Sequence, residues 1–223
     1  LALYFMTEVI IIRHGETHWN TEHRLQGWRD IDLNEMGQRQ AQALAKRLAH
    51  EHHQGNRPID QVYSSDLKRA HQTAQTVAQA LDLDVLVDAG IRERNFGVLE
   101  GVKFNEMFEV QPEAAEIWHR RQPNEAIPQG ESLQTLHDRA IQAVNTIARR
   151  HQGGRIALVT HGGTMDVLWR HATQSSLESP RVAKLANASI NRIFVGETDW
   201  QLIEWGDVAH LEGFGNTNTG FFR

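Results

Sequence analysis

Val9-Ile10-Ile11-Ile12 is an unbroken apolar run set between Thr7-Glu8 and Arg13-His14-Gly15. A run so short and so rich in β-branched residues predicts a buried strand over 7–12. The period then changes. Ala41, Leu44, Ala45 and Leu48 recur at helical spacing, from an N-cap at Asn34 to an end near His53. Asn56-Arg57-Pro58 breaks the chain, and Ile59–Tyr63 reads as a second strand. Ser64 or Ser65 is expected to cap a helix that carries Ala70, Ala74, Val77 and Leu81, with Arg69 one turn inside it, and Asp84–Val87 predicts a third strand.

Residues 101–130 lose this regularity. Phe104, Met107, Phe108, Ile117 and Trp118 are spread among charges and interrupted by Pro112, Pro123 and Pro128, a pattern that predicts short helices forming a cap. From Ser132 the helical period returns through Leu133, Leu136, Ala140, Ile141, Val144 and Ile147, stopping at Gly153-Gly154. The apolar run Ile156–Thr160 then predicts a buried strand ending at His161, followed by a helix over 164–172 and closing strands over 189–195 and 200–205. Such alternation implies right-handed crossovers. The expected fold is α/β: a three-layer open, mostly parallel sheet with helices on both faces and a small helical cap insertion over about 101–130. One domain is expected over 6–223, with Leu1–Phe5 a tag remnant or disordered extension, since Leu3-Tyr4-Phe5 resembles a protease-site scar before Met6.

Composition narrows the chemistry. A formal charge of −5 argues against a polyanion binder, so no nucleic-acid partner is expected and any phosphate site must be local. The absence of cysteine excludes a cysteine nucleophile, a disulfide framework and a thiolate zinc site, leaving thirteen histidines as candidate nucleophiles. No apolar stretch approaches the roughly 18 residues that span a bilayer, and the opening residues lack the features of a signal peptide, so a cytoplasmic protein without membrane contact is expected.

Three predicted strands end in chemically useful residues: Arg13-His14, Ser64-Ser65 with Arg69 following, and His161-Gly162-Gly163. Loops at the carboxyl ends of strands in open α/β sheets are where ligands collect. Backbone N–H groups at helix starts, two guanidinium groups and a histidine suit a dianionic phosphate.

In its blocks and their order the chain resembles the histidine phosphatase superfamily, in its phosphoglycerate mutase-like branch. The resemblance rests on Arg13-His14-Gly15-Glu16-Thr17-His18-Trp19-Asn20, Leu25-Gln26-Gly27-Trp28-Arg29-Asp30 with Leu33 and Gly37, and Ser64-Ser65-Asp66-Leu67-Lys68-Arg69-Ala70. It continues through Arg92-Glu93-Arg94-Asn95-Phe96-Gly97 with Glu100-Gly101, Gly130-Glu131-Ser132 and Thr160-His161-Gly162-Gly163. The resemblance implies that His14 attacks phosphorus and becomes phosphohistidine. Arg13, Arg69 and His161 then face the equatorial oxygens, and Glu93 is the acid that protonates the leaving alcohol. Thr17, Asn20, Gln26, Gly27 and Gly162 are implied to contact phosphate or substrate, and Glu16 to order the loop. A neutral imidazole is a competent nucleophile when one ring nitrogen is held as an N–H donor, and a backbone carbonyl beside His14 could hold it.

The expected activity is metal-independent hydrolysis of a phosphomonoester of a small metabolite, with no cofactor. The tail Gly206-Asp207-Val208-Ala209-His210-Leu211 resembles that of family members that are broad-specificity phosphatases, and the cap is short beside that of family mutases, so the resemblance implies such a phosphatase over a 2,3-bisphosphoglycerate-dependent phosphoglycerate mutase, the second reading. A catalytically inactive phospho-ligand scaffold is the third. His50, His52 and His53 are read as a solvated helix end, not a metal site. Trp118-His119-Arg120-Arg121 divides evenly between a substrate contact and a solvated face. Trp19, Trp28, Trp169, Trp200 and Trp205 are read as packing residues, with Trp28 placed to rim a pocket. An exposed closing strand could pair two copies as a homodimer.

Overall fold

In the computed structural model, which describes residues 6–54 and 57–214, six strands form one sheet. They are β1 (Thr7–Arg13), β2 (Gln61–Ser64), β3 (Val85–Val87), β4 (Arg155–Thr160), β5 (Ile190–Val195) and β6 (Trp200–Asp207), in the order β3-β2-β4-β1-β5-β6. β3, β2, β4 and β1 run parallel, whereas β5 and β6 close the sheet antiparallel. The expectation for Leu1–Phe5 lies outside the described residues, as does Asn56 of the expected break.

The helices are α1 (His18–Thr21), α2 (Glu35–Gln54), α3 (Lys68–Leu81), α4 (Met107–Val110), α5 (Pro112–Arg120), α6 (Leu133–Arg150) and α7 (Gly162–Thr173). Alternation along β1 divides the core in two. Val9 and Ile11 pack with α6 and α7, while Ile10 and Ile12 pack with α2 and α3. β4 repeats the division with Ile156 and Leu158 against Ala157 and Val159, so both central strands are covered on both faces. The cap between β3 and α6 packs Phe96, Leu99, Met107, Ala114, Ala115 and Ile127 into a small core with Leu25 from the loop after α1. Trp118 packs edge-on against Phe96 and Phe104.

The start of α3 departs from expectation. Leu67 occupies the N-cap, neither serine caps the helix, and the Lys68 N–H instead donates to Asp30 Oδ1 at 2.7 Å. Arg69 is consequently the helix's second residue, not one turn inside. Asn34 performs as expected, accepting from the Gly37 N–H, and Ser132 caps α6 by accepting from the Thr135 N–H. Among the described residues no helix is long and apolar enough to cross a membrane.

The topology places the site. From β1 the chain moves to β2 and β3 on one side, returns to β4 between β2 and β1, and leaves for β5 on the other side of β1. This reversal is the switch point at which open sheets bind ligands, and Arg13 and Thr160 are register partners across it. The next residues along each strand are His14 and His161.

Candidate active site

His14 is buried, with its ring centroid 5.2 Å from that of His161. Two independent contacts fix its tautomer. Nδ1 lies 2.7 Å from the Gly15 carbonyl, which can only accept, and the Arg69 Nε–H, which can only donate, lies 3.3 Å from Nε2. The proton therefore sits on Nδ1 and the lone pair on Nε2. Burial, then the nearby Arg69 and Arg13 charges, hold the imidazole pKa well below 6.5, so the ring is neutral at physiological pH.

The loop that carries His14 is clamped by its surroundings. Its N–H donates to the Thr160 carbonyl, its carbonyl accepts from Asn187 Nδ2, and Gly15 N–H donates to Thr73 Oγ1 on α3. A Cβ at Gly15 would lie 2.5 Å from the Gly37 carbonyl oxygen, so only glycine permits α2 to approach the loop this closely. Glu16 accepts from Asn34 Nδ2 and orders the loop.

Arg69 is fully buried and donates to the carbonyls of Gly27 and Arg29 at 2.8 and 2.9 Å, while Arg13 donates to the Leu185 carbonyl. Burial pushes both guanidinium pKa values down to about 10, with Glu93 opposing the fall, and both stay cationic at neutral pH. His161 is fully buried and pairs through Nε2 with Ser65 Oγ at 2.9 Å, leaving Nδ1 without a hydrogen-bond partner. Burial, with Arg69 next, holds its pKa well below 6.5.

Glu93 projects from the opposite wall. Its two carboxylate oxygens accept the N–H groups of Arg94 and Gly163 at 2.8 and 3.0 Å, so the start of α7 carries Gly162 against Arg13 and Gly163 against Glu93. Arg139 of α6 pins the segment that delivers Glu93 by donating to the carbonyls of Gly90, Arg92 and Glu93 while paired with Glu131.

Arg13, His14, Gln26, Gly27, Arg69, Glu93 and Gly162 line one cavity. Gln26 and Gly27 lie on the cavity wall, and the Gly27 carbonyl also holds Arg69. Thr17 and Asn20 form a capping box for α1, each bonding the other's backbone N–H, and are not among the residues on the cavity wall. The physical reason is local, because a four-residue helix exposes orphan N–H groups and the nearest short polar side chains satisfy them. Asn20 keeps Nδ2 without a partner. His161 lies behind the cavity wall, not on it.

The Trp118–Arg121 segment divides. Trp118 lines the cavity, Arg121 bonds Asp166, Arg120 pairs with Glu125 at the surface, and His119 meets Phe108 edge-on. Trp28 donates its indole N–H to the Glu93 carbonyl and carries Arg92 over its ring. His52 accepts the Ile59 N–H, and among the described residues no group of three or more His, Cys, Asp or Glu could hold a metal ion. Sequence reasoning missed Arg139, Ser65 as the partner of His161, and Arg181, which lines the cavity beside Trp118. Nothing in local spacing marks them, since each acts on a segment distant in sequence.

A family model described as the histidine phosphatase superfamily (branch 1) matches residues 9–208. The chain is 42% identical over 218 residues to phosphoglycerate mutase-like protein 4 of Arabidopsis thaliana, covering 96% of this chain and 91% of the relative. It is 39% identical over 218 residues to the metal-independent phosphoserine phosphatase of the same plant, covering 97% and 88%. Among solved structures, YhfR of Bacillus stearothermophilus superposes with a TM-score of 0.81 at 31% identity, covering 92% of this chain and 100% of its own.

Proposed function

Because the chain belongs to the histidine phosphatase superfamily, we propose that it is a metal-independent phosphomonoester hydrolase that acts on small phosphorylated metabolites through a phosphohistidine at His14. The observation that carries this reading is the fixed tautomer of His14: a neutral imidazole whose Nε2 lone pair opens on a pit lined by two arginines. The relatives named as phosphatase and mutase-like protein support the same chemistry.

The steps follow from where the groups stand. A phosphoryl group seated between Arg13 and Arg69 displaces the Arg69 contact to Nε2, and Nε2 forms a bond to phosphorus as the ester oxygen departs. Glu93 gives that oxygen its proton. Charge accumulates on the equatorial oxygens of a loose transition state, where the guanidinium groups and the Gly162 N–H at the start of α7 meet it, with His161 behind them. Glu93 then takes a proton from water, whose oxygen attacks phosphorus, releasing inorganic phosphate and restoring His14. The positive charge comes from side chains, so no metal enters the reaction. The short cap, which comprises only α4, α5 and one turn at 104–106, favours water over a retained intermediate and hence hydrolase over mutase.

The test is phosphate release from p-nitrophenyl phosphate in the presence of a chelator, together with alkaline-quenched labelling. Wild-type protein is expected to turn over and to carry acid-labile phosphate, and His14→Ala to lose both by about 10³-fold or more. Label on the folded His14→Ala protein would remove the mechanism. Conversion of 3-phosphoglycerate stimulated by 2,3-bisphosphoglycerate, without phosphate release, would establish the mutase instead.

A further inference from the structure

Away from the pit, two of the thirteen histidines meet at the surface where α6 and α7 lie side by side. His137 stands in the first turns of α6 and His171 in the last turn of α7, both half-buried. His137 Nε2 and His171 Nδ1 are 3.3 Å apart. Each ring is held by a neighbour. Asp138 Oδ1, which also accepts from Gln134 Nε2 at 2.8 Å, lies 2.9 Å from His137 Nδ1. A carboxylate only accepts, so the proton of the neutral His137 ring sits on Nδ1 and its lone pair on Nε2, toward His171. His171 in turn packs edge-on against Trp200, whose indole N–H donates to Asn145 Oδ1 of α6 at 3.0 Å.

The spacing of the two nitrogens has a chemical meaning. Two imidazole nitrogens bound to one tetrahedral zinc ion, each about 2.0–2.1 Å from it, stand about 3.3–3.4 Å from one another. His137 and His171 already hold that separation. A carboxylate on the far nitrogen of a ligating histidine fixes its tautomer and raises its basicity, and Asp138 occupies that position. Burial first, and His137 next, lower the His171 pKa, which favours the neutral form that binds metal. His137, Asp138 and Asn145 line a groove on the surface of α6, through which a hydrated ion can approach.

We propose that His137 and His171 form a binding site for a divalent transition-metal ion of the zinc class, which clips α6 to α7, with water in the remaining coordination positions. In the metal-free pair, His171 Nδ1–H donates to His137 Nε2. The ion replaces that shared proton, which passes to His171 Nε2, so that both lone pairs face the metal. Imidazole nitrogens select zinc, copper and nickel over magnesium and calcium, which take oxygen ligands. Neither ring lines the cavity that holds His14, so the site takes no part in the phosphoryl steps and is independent of the hydrolase reading.

The experiment titrates the whole protein with zinc chloride by calorimetry and follows the histidine ring signals by NMR, with magnesium chloride as the control. Wild-type protein is expected to bind one zinc ion with a Kd on the order of 10 μM, to shift the His137 and His171 signals together, and to ignore magnesium. His137→Gln and His171→Gln are each expected to weaken this strongest site by about tenfold or more. Zinc at about 100 times its Kd is expected to raise the melting temperature of wild-type protein and of neither variant, since only the folded pair joins two helices. A strongest site that survives either substitution, zinc-induced shifts at other histidines with His137 and His171 unmoved, or equal response to magnesium would overturn the proposal. Should His171→Gln fail to fold beside Trp200, His137→Gln and the wild-type ring signals decide the matter.

Discussion

His14 and His161 are neutral because burial and nearby arginines disfavour their charged forms, and that neutrality ties stability to pH. Their folded pKa values lie below 6.5, so as pH falls past 6.5 the unfolded chain binds protons that the folded chain refuses. Stability therefore drops by about 1.4 kcal/mol per pH unit for each histidine until the folded value is reached, and neither contributes a pH dependence above 6.5. Thermal melts between about pH 7 and 5 should fall less steeply for His14→Ala than for the parent. A second residue-scale expectation concerns Gly163, where a Cβ would lie 2.3 Å from Glu93 Oε1. The flexible carboxylate end can move, and alanine suits a helix by up to about 1 kcal/mol over glycine, so Gly163→Ala should keep its melting temperature. It should nonetheless lose about 10²-fold in kcat on alkyl phosphates and less on p-nitrophenyl phosphate, whose anion needs little protonation. Equal losses on both substrates would show that Glu93 is not the acid.

Elements, unlike side chains, could largely be read from the chain. The strands β1 and β4 declared themselves as apolar runs because both their faces are buried, and α2 and α6 through their period. What escaped was contact between elements. Ser65 has the composition of a helix cap, yet its hydroxyl serves His161 while Asp30, 38 residues before Lys68, caps α3 from another loop. Thr17 and Asn20, which match a phosphate-binding pattern, also form the capping box of α1. The residues of the pit itself were legible because a strand end followed by Arg-His, or by His-Gly-Gly, is a local pattern with a chemical meaning. Arg139 and Arg181 were not, because a lone arginine acquires meaning only from the distant segment it meets. The long-range cap carries a prediction: Asp30→Ala should cost about 1 kcal/mol in denaturant unfolding. It should also raise KM, because Arg69 is the next residue and its carbonyl partners lie in the Asp30 loop. Unchanged KM would show that Arg69 is held without that cap.

At the scale of the molecule, the end of the sheet opposite the pit is tied by charge. Glu51, near the end of α2, meets Arg47 and Arg155 at 2.8 Å and Arg192 at 2.9 Å, while Arg155 reaches Glu8 on β1. Burial alone would raise the Glu51 carboxyl, but the three arginines outweigh it and hold it at about 2. The unfolded value is 4.5, so this contribution is present above pH 4.5 and is lost as pH falls through about 2. Glu51→Gln should lower the melting temperature at neutral pH and flatten its decline below pH 4.5, with kcat unchanged. A change in kcat would mean that the network is felt at the strands' other ends.

The register between β1 and β4 has a kinetic consequence. Arg13 and Thr160 are partners across strands about 150 residues apart in sequence, so the two histidines meet only when the chain's most distant halves have paired. A slip by one residue would turn every side chain of β1 to the other face and carry His14 away from His161. The ability to take up phosphate therefore requires that long-range pairing, and the appearance of phosphohistidine in a refolding sample reports the joining of β1 to β4.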